Sequence, residues 1–120
     1  MARVSALRRG SIIDVNLDPT LGSETGKIRP CIVVTNDIYN RRPPVIQVVP
    51  ITAWNEKKSA IITNVTLMPS DKNGLTKQSI ADCLQTRPID HRHRLLRVRG
   101  QISAEELDQI DAALRIVFAL

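Results

Sequence analysis

The chain has 120 residues, of which 42% are apolar, and its 17 basic and 12 acidic side chains give a formal net charge of +5. The length suits a single domain, 1–120, and the apolar content excludes a chain that is disordered throughout. No apolar run approaches the roughly 18 residues of a membrane span, and no apolar segment follows the first arginines as in a signal peptide. We therefore expect a cytoplasmic protein without membrane contact.

The basic excess suits a polyanionic partner, nucleic acid first, although charge that serves only solubility is the alternative. Tyr39, Trp54 and Phe118 are the only aromatic residues, so a stacking platform is excluded and nucleic-acid contacts would depend on phosphates. Cys31 and Cys83 lie far apart in apolar segments and have no partner at zinc-ligand spacing. The sequence thus predicts two buried thiols, no metal site and no cofactor.

The first half of the chain predicts two strands joined by a loop. Residues 1–8 are expected to be a loose lead-in, and the alternating segment Ser11–Leu17 predicts a strand. Asp18–Lys27 carries proline and glycine and predicts a loop. The proline after Arg29 keeps that residue extended, at the mouth of a buried strand predicted over Cys31–Val34.

The remainder predicts further short strands and then one helix. The predicted segments are a polar loop over Asn36–Pro44, a strand over Val45–Thr52, an exposed connection over Trp54–Lys58, strands over Ile61–Leu67, Ser79–Leu84 and Leu95–Val98, and a turn at Asp71–Gly74. Ser103 and Glu106 form a capping box. An apolar stripe at helical spacing follows, made of Leu107, Ile110, Leu114, Val117 and Phe118. These elements predict a mainly β fold with a C-terminal α-helix, built as a small antiparallel barrel or curled sheet.

The strongest candidate site combines Arg29 and Thr52. If the strand that Arg29 begins pairs antiparallel with the strand that Thr52 closes, the two residues lie side by side, beneath a loop bearing Ser23, Glu24 and Lys27. A guanidinium can hold a phosphate and stabilise its extra negative charge in a pentavalent transition state, and a hydroxyl can donate to the same oxygens. The alternative is that both are ordinary residues at strand ends.

Two stretches of this chain resemble the MazF/PemK family of toxin endoribonucleases. The first runs from Arg9-Gly10 through the Gly-Ser-Glu loop and Arg29-Pro30 to Asn40, and the second is Val48–Thr52. The resemblance implies an SH3-like (PemK-like) barrel and a homodimer that cuts single-stranded RNA at short sequences without a metal. It also implies a cognate antitoxin, expected to carry an acidic, partly disordered segment, and contact with DNA only through the toxin–antitoxin complex.

By this resemblance, Arg29 matches the family's catalytic arginine, Thr52 its catalytic threonine, and Glu24 an acidic loop residue implicated in some members. The implied reaction is attack by the RNA 2′-hydroxyl on the adjacent phosphate. The general base stays open, because arginine is normally protonated; Glu24 could accept the proton if its loop folds over the site. Lys27 is a departure, since many relatives carry glycine or another small residue there.

Further residues are predicted to bind RNA because of their charge, their loops or the resemblance. They are Ser23, Lys27, Tyr39, Arg41, Trp54, Gln85 and Arg87. Gln85 could read a base edge, and Arg87 resembles a residue that flanks the family's substrate groove. The arginines between positions 87 and 99 form either an RNA or interface patch or merely a solvated basic face.

Other features carry weaker hypotheses. His91 and His93 lie in the charged segment 87–94 and are interpreted as part of a solvated loop rather than as a catalytic pair. A toxin of the same fold that poisons a protein such as DNA gyrase is the alternative function. A degenerate toxin that only binds RNA or its antitoxin is the third.

Overall fold

The computed structural model describes residues 7–41 and 44–120 of the chain. Seven strands lie in these ranges: β1 Ser11–Asn16, β2 Ile28–Val33, β3 Val45–Ala53, β4 Asn64–Leu67, β5 Ser79–Asp82, β6 Arg87–Asp90 and β7 Leu95–Gln101. The helices are α1 Glu56–Ser59, α2 His91–Arg94 and α3 Ala104–Phe118, and a 3-10 turn spans Cys83–Gln85. The mainly β fold with a C-terminal helix is confirmed.

The strands form one antiparallel sheet in the order β4-β5-β3-β2-β1-β7, with β6 paired to β3 outside this path. β3 is the longest strand with nine residues, and it connects the two ends of the molecule. Its beginning pairs with β6 through Val45 and Asp90, whereas its end pairs with β5 through Ala53 and Ser79. The strands that carry Arg29 and Thr52 are therefore central in the sheet.

The predicted barrel or curled sheet is an open one, since in the described part of the chain no hydrogen-bonded pairing joins the outer strands β4 and β7. The segment 68–78, which follows β4, covers this gap between β4 and β7, called the seam below. The Gln101 amide donates to the Lys72 carbonyl at 2.9 Å, and Arg99 Nη1 donates to the Gly74 carbonyl at 2.8 Å. A Cβ at Gly100 would overlap the Lys72 carbonyl oxygen, so only glycine permits this close approach.

Alternation along β1 divides the interior into two cores. Ile12 belongs to the first core, with Ile32 and Ile51 of the neighbouring strands and Ile110 of α3. The second core lies on the other face of β1 and contains Ile13, Val15, Val33, Val48 and Leu7. Leu7, predicted to belong to the loose lead-in, is therefore part of the folded core, since it is only 2% exposed. Residues 1–6 of the predicted lead-in lie outside the described residues.

Helix α3 closes the first core. The predicted capping box is confirmed: the Glu106 amide donates to Ser103 Oγ at 3.0 Å and the Ser103 amide donates to Glu106 Oε1 at 3.2 Å. Ile110 is fully buried, but Phe118 is 57% exposed, so its predicted place in the buried stripe is wrong. Among the residues that the structure describes, no helix is both long and apolar enough to cross a bilayer.

The segment predicted as a solvated loop over residues 87–94 contains β6 and α2. Ile89 packs in the second core, and His91 is 4% exposed, so the interpretation of His91 as solvated is wrong. His93, two residues further along the chain, is exposed as predicted. Short elements such as these, of which β6 has one buried apolar side chain and α2 has none, leave no periodic signal in the sequence.

Several other segments differ from prediction. The predicted connection Trp54–Lys58 contains α1, whose first turn is capped by Asn55. Strand β4 begins only at Asn64, because Ile61 and its neighbour lie in an exposed turn after α1. Strand β5 ends at Asp82 and passes into the 3-10 turn, whereas β7 continues three residues beyond the predicted Val98.

Candidate nuclease site

The register of β2 and β3 brings the two principal candidates together. Cys31 pairs with Pro50 in this antiparallel ladder. The paired residues of β2 and β3 end here, and continuing the same register by two residues would set Arg29 opposite Thr52. Opposed residues of an antiparallel pair project from the same face of the sheet. The antiparallel pairing predicted from the sequence is thus confirmed, while the catalytic roles stay a prediction.

Arg29 and Thr52 both line a cleft of about 210 Å³ at this end of the sheet, which we call the arginine cleft. Lys77 and Arg99 add two further cations to its lining, and Ser79 adds a hydroxyl. Among the described residues that line the arginine cleft there is no carboxylate. Its local charge is therefore strongly positive, as an anion-binding site requires.

Arg29 is held by its own loop. Its Nε donates to the Gly26 carbonyl at 3.2 Å, and among the described residues its Nη atoms have no hydrogen-bond acceptor. The loop closes where the Leu17 amide donates to the Lys27 carbonyl at 2.9 Å. Lys27 has φ +68°, a left-handed conformation that glycine adopts more readily than lysine. The terminal guanidinium nitrogens of Arg29 are thus left for a ligand.

Gln85 anchors the tip of the same loop. The Thr25 amide donates to Gln85 Oε1 at 3.2 Å, and Gln85 Nε2 donates to the Ser23 carbonyl at 3.2 Å. Both ends of the side-chain amide are engaged by the loop backbone. Gln85 therefore orders the loop here, and base reading by Gln85 remains a prediction.

Glu24 does not line the arginine cleft. It lines a neighbouring cleft of about 390 Å³ together with Gln85 and Arg87. Its Oε1 accepts a hydrogen bond of 2.8 Å from the Leu21 amide, and its side chain is exposed. The structure therefore separates the acidic candidate from the pair formed by Arg29 and Thr52.

Arg87 lines the neighbouring cleft, and its guanidinium, like that of Arg29, acts electrostatically on the thiol of Cys31. Burial raises the pKa of the Cys31 thiol to about 12, against the smaller lowering effects of Arg87 and Arg29. Nη1 of Arg87 donates to the Leu17 carbonyl at 3.0 Å, at the base of the loop. Arg87 thus supports the loop and adds positive charge to the neighbouring cleft.

The remaining predicted residues fall in two places. Ser23 and Lys27 are exposed on the loop, and half-buried Trp54 follows β3 two residues after Thr52. Tyr39 and Arg41 lie instead beyond the opposite end of β2, and Arg41 lines a separate cleft with Arg8 and Lys72. Within one chain, the structure does not bring Tyr39 and Arg41 to the arginine cleft.

Sequence reasoning missed the two cations contributed from outside the first half of the chain. Lys77 received no role, and Arg99 was only one of several arginines in a basic segment. The available signal was the spacing of Arg97 and Arg99, two residues apart on one strand, which lets both guanidinium groups reach one carboxylate of a neighbouring strand. Their shared partner is Asp14, interpreted from the sequence as a polar strand face but only 7% exposed.

Comparison with known proteins places the chain in a family. Residues 8–118 match the model of a family described as a PemK-like, MazF-like toxin of type II toxin–antitoxin systems. The endoribonuclease MazF9 of Mycobacterium tuberculosis is 39% identical over 115 residues, covering 92% of this chain and 94% of the relative. The endoribonuclease EndoA of Bacillus subtilis is 35% identical over 114 residues, covering 95% and 96%.

Solved structures share the fold. MazF from Deinococcus radiodurans superposes with a TM-score of 0.78 at 22% identity, covering 95% of this chain and 97% of that one. An endoribonuclease from a mycobacterial species, solved in complex with its cognate antitoxin, gives a TM-score of 0.75 at 22% identity, with coverage of 96% and 97%.

Proposed function

Since this chain belongs to the PemK-like, MazF-like toxins of type II toxin–antitoxin systems and is an endoribonuclease of that family, we propose that it cuts single-stranded RNA, at specific short sequences and without a metal, in the arginine cleft. The observation that carries the proposal is that Arg29 and Thr52 line one cleft, at the end of the antiparallel pair formed by β2 and β3. Both curated relatives are endoribonucleases, which favours nuclease action over poisoning of a protein target.

In the proposed reaction the RNA supplies its own nucleophile. The 2′-oxygen forms a bond to phosphorus, the bond from phosphorus to the 5′-oxygen breaks, and the products are a cyclic phosphate and a 5′-hydroxyl end. The 2′-proton leaves to a base, and the departing 5′-oxygen gains a proton. DNA, which has no 2′-hydroxyl, cannot follow this route.

Arg29 is proposed to stabilise the pentavalent phosphorus through its Nη atoms, since its Nε is already bound to the Gly26 carbonyl. Thr52 donates from its hydroxyl to the same phosphate. The charge of an arginine side chain persists at any working pH, so Arg29 serves as charge stabiliser and as hydrogen-bond donor to the leaving oxygen, which takes its proton from water.

Glu24 is proposed as the acceptor of the 2′-proton. This requires its loop to move, because Glu24 lines the neighbouring cleft and its Oε1 accepts from the Leu21 amide. The loop is exposed, and its tip is joined to the rest of the fold by two hydrogen bonds, one accepted by the Gln85 side chain from Thr25 and one donated by it to Ser23. Bound RNA would supply the contacts that draw the loop over the cleft.

We also propose a cytoplasmic homodimer inhibited by a cognate antitoxin. The edge strand β7 exposes Leu96 by 54% and Val98 by 38%, apolar surface that a second copy would cover. An acidic antitoxin segment would compete with RNA for the basic clefts. One solved structure of the same fold contains a cognate antitoxin.

The test is cleavage of a long single-stranded RNA in the presence of a chelator, with mapping of the cut sites and analysis of their ends. The wild-type protein should leave 5′-hydroxyl ends, and Arg29→Ala should abolish cleavage while its melting temperature is unchanged. Arg115→Ala is a matched control, because it removes one arginine from the exposed end of α3, and it should cut normally. Undiminished cleavage by Arg29→Ala would remove the proposed mechanism.

A further inference from the structure

Arg99 is fixed in the arginine cleft from two sides. Its Nε donates to Asp14 Oδ1 at 2.6 Å, and its Nη1 donates to the Gly74 carbonyl at 2.8 Å. Its side chain is only 20% exposed, unusually low for arginine on a strand at the edge of a sheet. Among the residues that the structure describes, its Nη2 has no hydrogen-bond acceptor. One donor group of a preorganised guanidinium therefore stays available.

Asp14 is the residue that holds this guanidinium. Its side chain is 10% exposed, and its two oxygens accept from two different arginines, Arg99 at Oδ1 and Arg97 at Oδ2, each at 2.6 Å. A buried carboxylate requires such partners, because an unpaired buried charge is costly. One carboxylate cannot neutralise two guanidinium groups, so the cluster retains net positive charge.

The two arginines of this cluster differ in where they point. Arg97 is 63% exposed and does not line the arginine cleft, whereas Arg99 lines it together with Lys77. Lys77 belongs to the segment that covers the open seam of the sheet, and this segment is bound to Arg99 through Gly74. The excess charge of the Asp14 cluster is therefore presented to the cleft by Arg99 and reinforced by Lys77.

The cleft holds more positive charge than one phosphate needs. Arg29 and Thr52 suffice for the phosphate that reacts, yet Lys77 and Arg99 line the same space without any acidic residue among the described lining residues. Single-stranded RNA offers successive phosphates along its backbone, and grooves that bind it carry cations that follow them.

We propose that Arg99 and Lys77 form a second phosphate subsite, which binds a phosphate of the RNA next to the one held at Arg29, and that Asp14 is the positioning residue for Arg99. This inference rests on the proposed nuclease function. It gives the cleft a role in aligning the RNA, because two bound phosphates fix the direction of the backbone across Arg29 and Thr52.

The first test compares Arg99→Gln with Arg97→Gln. Both changes remove one arginine from Asp14, but only the first removes a cation from the cleft. Arg99→Gln should raise KM for a short RNA substrate by about tenfold with kcat little changed, and it should reduce the slope of log affinity against log salt by about 0.7, the value of one phosphate contact on a single strand. Arg97→Gln should have a clearly smaller effect on both quantities.

Conservative variants separate positioning from binding. Asp14→Asn should raise KM in the same direction as Arg99→Gln, and Arg99→Lys should recover part of the loss. Thermal melts show whether Asp14→Asn still folds. If it does not, the comparison of Arg99→Gln with Arg97→Gln decides whether the subsite exists. Equal effects of Arg99→Gln and Arg97→Gln on KM and on the salt slope would overturn the subsite.

The decisive measurement replaces the phosphates around the cut site, one at a time, with uncharged methylphosphonates. At one flanking position the replacement should weaken wild-type cleavage but add nothing further in Arg99→Gln, the non-additivity expected of a direct contact. If wild type cuts RNA but no position couples to Arg99, the subsite is wrong and the nuclease proposal stands. If wild type does not cut, the nuclease proposal fails, and the same oligonucleotides in a binding assay decide the subsite by the same criterion.

Discussion

Gln85 and Ser23 are joined by a hydrogen bond of 3.2 Å although 62 residues separate them in the chain. The bond runs from the side-chain amide to the loop backbone, and a second bond ties Thr25 to the same side chain. Both bonds lie between the loop that carries Glu24 and the turn that precedes β6. The position of the proposed base therefore depends on a residue distant in sequence.

We expect Gln85→Ala to release the loop and to lower kcat/KM by roughly ten- to hundredfold, while the free energy of unfolding changes by less than about 1 kcal/mol. Hydrogen exchange at the amide of Thr25 should increase. Gln85→Glu is the matched control, since its carboxylate still accepts from Thr25 but no longer donates to Ser23, and it should lie between wild type and alanine. Unchanged exchange at Thr25 in Gln85→Ala would contradict the anchoring role.

Thr52 tests the hydroxyl half of the site. Thr52→Ser keeps the hydroxyl and should retain most activity, whereas Thr52→Val keeps the shape but loses the donor and should lower kcat by about a hundredfold or more. The measurement is single-turnover cleavage, which separates chemistry from RNA binding. Equal rates for the serine and valine variants would show that the Thr52 hydroxyl has no part in the reaction.

The two buried thiols should make the free energy of unfolding depend on pH in the alkaline range. Burial raises the pKa of Cys31 and of Cys83 from 9.0 to about 12. Because the folded state keeps its protons where the unfolded chain loses them, the stability contributed by each thiol is complete below about pH 9 and falls as pH rises toward about 12. The double variant Cys31→Ala, Cys83→Ala should therefore lose stability less steeply over this range, as measured by urea unfolding.

The same burial predicts thiol reactivity. At neutral pH neither cysteine of the folded protein should react with a thiol reagent, and both should react in denaturant. Rapid labelling of the native protein, or identical pH slopes for the double variant and wild type, would contradict the burial of these groups.

Helix α3 offers a comparison of two apolar residues. Ile110 is fully buried in the first core, so Ile110→Ala should cost about 2–5 kcal/mol of unfolding free energy. Phe118 is 57% exposed, so Phe118→Ala should cost less than about 1 kcal/mol. Denaturant melts measure both. Comparable losses would mean that Phe118 is covered in the protein as it exists in solution, for example by a second copy.

The central pairing of the site was predictable because two prolines mark it. Pro30 keeps Arg29 extended at the start of one strand, and Pro50 sits near the end of the other, so the antiparallel arrangement follows from chain order. The loop between Leu17 and Lys27 is likewise evident from its glycines. Both signals are local, and local signals can be recognised in a single sequence.

The cluster around Asp14 was not predictable for a physical reason. The pairing of β1 with β7 shifts register between Ile12 and Ile13 and again after Asp14, and these shifts allow one carboxylate to meet both Arg97 and Arg99. Alternation alone places Asp14 on a polar face and cannot show that arginines from a distant strand cover it. The open seam of the sheet could not be predicted for the same reason, because closure of a sheet depends on the register between strands that are distant in sequence.

The seam between β4 and β7 bears on how such a nuclease can diversify. The connection that spans it, rather than a ladder of backbone bonds, supplies Lys77 to the arginine cleft, and glycines at 74 and 100 let it lie against the sheet. A surface segment of this kind can gain, lose or exchange side chains without disturbing the strands that hold Arg29 and Thr52. Substitutions in this segment would therefore change RNA recognition while leaving the proposed catalytic pair in place.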